Sequence, residues 1–263
     1  SELTTVRVSR ASAEQRRGRA GRLEPGVCYR LWTAPEDLGL AAFDEPEIAI
    51  ADLAPLALDL AAWGVNDPLT LAWLTQPPPA NYAQGHALLK RLDALDAGGR
   101  ITTEGRAMAA LPLHPRLAHM VGRGHTLGHG DLAVDIAALL SERDILRTRD
   151  PDLRARLEAL SGHGGNVSAS ALSRVKAAAR QIRRIARIEG EGSRTEAGLV
   201  LALAYPDRIA ERRSPGRFRL SGGGGAMLDP AEPLAAEDYL AVADRDSDGR
   251  IFLAAPLTAA EIE

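Results

Sequence analysis

A chain of 263 residues with 45% hydrophobic side chains is long enough for two or three small cores and too apolar to be disordered. A formal charge of −3 excludes a bulk polycation, so any nucleic-acid surface must be a local stripe. The lone Cys28 can neither close an internal disulfide nor complete a zinc site, and no apolar run approaches the ~20 residues of a membrane span. These features point to the cytoplasm and away from a membrane. Aromatic residues make up only 4%, so helices packed through alanine and leucine are expected. Arginine supplies nearly all the positive charge; the only lysines are Lys90 and Lys176. No signal peptide opens the chain, and Ser1-Glu2-Leu3 reads as the start of a piece of something longer.

Residues 4–33 read as strand, turn, helix, strand. Val6 and Val8 alternate with Arg7 and Ser9. Ser12 is a plausible N-cap with Gln15 three residues on, Gly21 ends the helix, and Val27 to Trp32 reads as a second strand. Residues 34–47 are acidic and linker-like. Leu53, Leu56, Leu60 and Trp63 then predict an amphipathic helix stopped by Gly64. Asp67-Pro68 predicts a short helix through Leu74, Gln76 to Pro79 a rigid break, and Leu88, Leu89, Leu92 and Leu95 a third helix. Gly98-Gly99 turns the chain before Ile101-Thr102. Three helices and a small hairpin predict a winged helix over 34–108.

Residues 109–204 read as a helical bundle, with Ser161 to Gly165 as a break inside it. From Arg217 onward short apolar runs alternate with Gly, Pro and Asp, so 205–263 is expected to be β-rich, an incomplete barrel of the OB type. The predicted class is mainly α and multidomain.

The chemistry concentrates in Gln15-Arg16-Arg17-Gly18-Arg19-Ala20-Gly21-Arg22. Arg19 and Arg22 lie three apart and project from neighbouring positions, where like charges repel unless an anion sits between them. Planar guanidinium groups grip phosphate oxygens two at a time, and Gly18 and Gly21 remove bulk so that a ligand can approach. Charge alone leaves open an ordinary solvated basic helix.

The order of these residues, Q-R-x-G-R-A-G-R followed by Leu23 to Leu31, resembles the sixth helicase motif of DEAH-box enzymes. Thr102 to Ala109 and Leu111 to Leu117 resemble the same family, and Leu139 to Asp144 and Ala204 to Ala210 resemble its bacterial HrpB-type branch in particular. The resemblance implies the C-terminal part of an ATP-dependent RNA helicase. Residues 1–33 would then be a remnant of the second RecA-like motor domain, and 109–204 the ratchet-like helicase-associated bundle. It further implies that Gln15 contacts the γ-phosphate or the attacking water, that Arg19 and Arg22 act as arginine fingers, and that Gly18 lies beside the ATP. Such fingers contribute roughly 10³–10⁵ in rate in related NTPases. ATP and Mg²⁺ would be held by N-terminal RecA-like domains: no G-x-x-x-x-G-K-[ST] and no Asp-Glu-x-His occurs in these residues.

One further helix is basic. Arg174, Lys176, Arg180, Arg183, Arg184 and Arg187 share it with Leu172, Val175, Ala179, Ile182, Ile185 and Ile188. Two readings stay open here, a solvated face and a face that tracks a single-stranded RNA backbone without regard to sequence. A non-catalytic nucleic-acid-binding or adaptor module is the rival to the helicase reading. DNA reading by Lys90 and Arg91, a calcium loop at Asp244, Asp246 and Asp248, and a metal site among His114, His119, His125 and His129 are weaker. The calcium loop has Ala255 where a bidentate Glu is required.

Overall fold

The structure is a computed structural model that describes residues 6–189 and 195–262. The first helix, α1, is Arg10–Ala20. Its cap is Ser9 rather than Ser12: the buried Ser9 hydroxyl accepts the Ser12 N–H at 3.1 Å, and Gly21 ends the helix as expected. The two flanking strands are not formed among the described residues. A strand needs a neighbour for its backbone N–H and C=O groups, and here Val27, Tyr29 and Leu31 face solvent with no ladder beside them. Side chains fix this segment instead. Arg30 pairs with Glu14 of α1 and with Asp37 (2.8 Å), and the Trp32 indole donates to the same Asp37 carboxylate at 2.8 Å. Asp37 belongs to α2 (Ala34–Leu38), which Thr33 and Glu36 open with a capping box. A four-residue turn of helix, α3 (Glu47–Ile50), leads onward.

The winged helix consists of α4 (Ala54–Ala62), α5 (Pro79–Arg91) and α6 (Thr103–Ala109), with a single antiparallel bridge, Leu95 to Ile101, as its wing. Ala57, Leu58, Ala61, Leu88, Leu89, Leu92, Leu95 and Met108 form its core. Of the expected stripe on α4, Leu53 and Leu60 are buried, joined by Ala57, Leu58 and Ala61, while Trp63, at the C-cap, is exposed. Gly64 takes φ +83° to stop the helix. The helix expected through Leu74 is only a 3₁₀ turn at Pro68–Thr70, because Asp67 caps it and Leu69 and Leu74 find nothing to bury against. The Pro77-Pro78-Pro79 break runs straight into α5, whose first turn tolerates a proline.

The bundle comprises α7 (Pro115–Thr126), α8 (Gly130–Ser141), α9 (Leu153–Leu160), α10 (Ala169–Ala186) and α11 (Ala197–Ala204). Helix α8 is buried from Leu132 to Leu139 and carries two carboxylates, Asp131 and the buried Asp135; α10 buries only Ala171, Val175, Ala179 and Ile182. Among the described residues no helix is long and apolar enough to cross a membrane.

The sheet begins at Ile209, eight residues before Arg217, because its first strand carries too many arginines to read as apolar. It contains β1 (Ile209–Ser214), β2 (Arg217–Leu220), β3 (Gly225–Met227), β4 (Tyr239–Arg245) and β5 (Ile251–Leu257), in antiparallel order β3-β2-β1-β4-β5. It curls until its edges approach: the Met227 N–H donates to Gly249 O at 2.8 Å, and Met227 bridges Arg250. The free side of β5 is covered by residues 150–152, with Ala254 N–H donating to Pro151 O at 2.8 Å. Buried Arg156 pins that cover by donating to the carbonyls of Asp150 and Asp152 (3.0 Å) and to the Asp144 carboxylate (2.7 Å). Asp246 to Gly249 is a turn: the Asp246 carboxylate accepts the Arg250 N–H at 2.8 Å, and Gly249 takes φ +88°. One face of the sheet holds Ala210, Phe218, Leu220, Leu240, Val242 and Ile251 in its own core. The other contributes Ala241, Ala243, Ala255 and Leu257 to the bundle core. A short α12 (Ala259–Ile262) follows.

Candidate nucleotide and nucleic-acid surfaces

Helix α1 buries one side chain, Ala13. Gln15, Gly18 and Arg19 lie on the opposite side, within a turn of one another and exposed, and Arg22 follows in the same direction just past the helix end. Gly18 and Gly21 each have nothing within 4 Å of where a Cβ would stand, so nothing in this fold requires glycine at Gly18. Gly26 differs: a Cβ there would meet Ala20 O at 1.8 Å, which makes it the residue that lets the chain fold back on α1. Arg17 pairs with Glu14 at 2.7 Å, and Arg16 is exposed. The structure therefore brings the four motif residues together on one open face.

Helix α10 separates its six basic residues into two groups. Arg183 turns inward and donates from Nε to Asp131 (2.6 Å) and from Nη2 to Asp135 (2.6 Å), both on α8. Burial pulls its pKa down, but the two carboxylates more than offset this and the net shift is upward. Arg183 is thereby engaged in the fold, unlike its expected place on the basic face. Arg174 lies 3.4 Å from Glu142. Lys176, Arg180, Arg184 and Arg187 are exposed, on a shared stripe about 16 Å long at 1.5 Å per residue. Arg187 closes the helix in the left-handed conformation, φ +55°.

His114, His119, His125 and His129 do not converge: His114 contacts Asp52 at 3.1 Å, His119 donates from Nδ1 to Leu203 O at 3.0 Å, and burial lowers the His119 pKa. Among the described residues no group of three or more His, Cys, Asp or Glu side chains is placed to hold a metal ion.

Residues 87–113 match the helicase associated domain (HA2), winged-helix family. ATP-dependent RNA helicase HrpB of Escherichia coli is 37% identical over 96% of this chain, and the match covers 30% of that protein. The probable ATP-dependent RNA helicase DHR2 of Saccharomyces cerevisiae is 38% identical over 58% of the chain and is covered to 21%. The crystal structure of the E. coli DExH-box NTPase HrpB superposes with a TM-score of 0.81 at 35% identity, covering 99% of this chain and 31% of that one. The chain thus spans less than a third of the length of these relatives.

Winged helix, helical bundle and curled sheet in this order define the class: a helicase-associated region. Within that class the chain belongs with the HrpB-type DEAH-box helicases, and it matches one part of such a protein.

Proposed function

We propose that this chain is the accessory part of an ATP-dependent RNA helicase, with α1 completing an ATP site most of which lies outside these 263 residues. Gln15, Arg19 and Arg22 reach the nucleotide phosphates, and Gly18 leaves room for them. Mg²⁺ and the phosphate cradle come from the other lobe. ATP closes the lobes, and the charge that develops on the transferring phosphoryl group is stabilised by the two guanidinium groups. The α10 stripe of Lys176, Arg180, Arg184 and Arg187 holds a single RNA strand by its backbone, and the curled sheet serves as an OB-type module beside it.

The observation that carries this reading is the open face of α1. Gln15, Gly18, Arg19 and Arg22 are exposed together, opposite the helix's only buried residue. A second lobe is supported by apolar side chains nearby that this fold leaves uncovered: Leu23, Tyr29, Leu31 and Phe43 are between 76% and 99% exposed. On this reading residues 1–33 belong to the second RecA-like domain and complete their sheet there. The chain alone does not hydrolyse ATP, and the intact protein works in the cytoplasm.

In the full-length protein, Arg19→Ala should cut RNA-stimulated ATP turnover by roughly 10³-fold or more. Turnover at the unsubstituted rate would overturn the finger assignment. The rival reading, a non-catalytic RNA-binding module, draws on the α10 stripe, which is complete within this chain. That reading predicts RNA binding by the isolated chain with no ATP turnover in the full-length protein.

A further inference from the structure

Two motifs that stand far apart in the chain meet on one turn of helix. Arg116, in the first turn of α7, donates from Nη1 and Nη2 to both oxygens of Asp207 (2.6 and 3.0 Å) and from Nη1 to Ala204 O (3.0 Å). The guanidinium carbons of Arg116 and Arg208 lie 5.4 and 4.8 Å from the centroid of the same Tyr205 ring. Arg208 in turn donates to Ala243 O of β4 at 2.9 Å.

The same turn also reaches the winged helix. His114 Nδ1 accepts the Arg116 N–H at 3.2 Å, so in the neutral ring the proton sits on Nε2, which donates to Asp52 just ahead of α4 at 3.1 Å. The body of α7, through Leu117, Met120 and Val121, lies in the bundle core. One turn therefore links three parts of the fold: the winged helix through Asp52, the bundle through its own helix and Tyr205, and the approach to the sheet through Asp207 and Arg208. The Arg116 and Asp207 side chains are 11% and 25% exposed, so their fork-to-fork pair is well shielded, unlike an ordinary surface pair. Sheet and bundle share buried residues of β4 and β5, and a shielded bidentate pair with a stacked ring adds resistance to motion at this turn.

We propose that residues 114–116 and 204–208 form a joint that makes winged helix, bundle and sheet one rigid body, with Asp207 as the positioning residue that transmits motor closure to the sheet. The transmission rests on the helicase reading; the joint does not. The test uses Asp207→Asn, which keeps shape and removes charge, and the swap of Arg116→Asp with Asp207→Arg. In the full-length protein, Asp207→Asn should hold RNA-stimulated ATP turnover within about twofold while strands separated per ATP fall roughly tenfold, and the swap should recover part of that loss. Thermal unfolding of Asp207→Asn should show the sheet melting ahead of the helical cores.

Unchanged strand separation per ATP in Asp207→Asn would overturn the transmission role. Loss of ATP turnover and fold together, with no recovery in the swap, would reduce the pair to a plain stability element and overturn it too. If the unsubstituted protein separates no strands at all, the helicase reading is what fails. The joint is then decided by melting, and an Asp207→Asn curve identical to the original counts against it.

Discussion

Single residues decide which of the six basic side chains on α10 serve the fold and which face outward. Arg183 sits between Asp131 and Asp135, and its removal takes away the charged hydrogen bonds that both carboxylates accept from it. Arg183→Ala should therefore cost about 3 kcal/mol in denaturant unfolding, whereas Arg184→Ala, on the exposed stripe, should stay within about 0.5 kcal/mol. Arg184→Ala should instead lower the slope of log affinity for single-stranded RNA against log salt by about 0.7, and Arg183→Ala should leave that slope alone. The distinction was not legible in sequence, because Asp131 and Asp135 lie 52 and 48 residues away and only the packing of α8 against α10 brings them there. Asp207 offers a pH test. Burial raises its pKa, but the bonds from Arg116 outweigh burial, and the net shift is below the ordinary 3.8. A depressed carboxylate stabilises the fold fully above 3.8 and stops doing so as the pH drops through its own lower value. The melting-temperature gap between the unsubstituted chain and Asp207→Asn should hold from pH 7 down to about 4 and close below that; a gap that widens in acid would contradict the assignment.

At the scale of elements, glycines report which helix faces are packed and which are left for something else. A Cβ on Gly198 of α11 would meet the Pro256 carbonyl at 1.9 Å, so the helix lies directly on β5. Gly198→Ala should destabilise the chain by roughly 2–3 kcal/mol, since neither backbone can retreat. Gly18→Ala meets nothing within 4 Å on α1 and should stabilise that helix by roughly 0.5–1 kcal/mol. In the full-length protein the same substitution should lower ATP turnover; higher stability with undiminished turnover would show that Gly18 makes no room for a ligand. The long elements were legible because their apolar residues recur with a helical period, as in α10, or because a stop such as Gly64 marks an end; the Thr102 cap of α6 was not read. Elements defined by partners were not. Val27 to Trp32 alternates like a strand yet has no neighbour to pair with among the described residues, and β1, written Ile-Ala-Glu-Arg-Arg-Ser, hides its strand character under arginine.

Across the whole molecule, how the hydrophobic clusters join was not legible in sequence, because the joining residues are charged: His114 with Asp52, Arg116 with Asp207, Arg156 with Asp144. The last of these has a consequence beyond holding a loop. An uncovered β-strand can recruit an identical strand from another molecule and so seed assembly. Residues 150–152 occupy that position on β5, and Arg156 keeps them there. Arg156→Ala should thus turn a well-behaved chain into one whose sedimentation coefficient and light scattering rise with concentration. The guanidinium at Arg156 acts as a guard against polymerisation by self-templating.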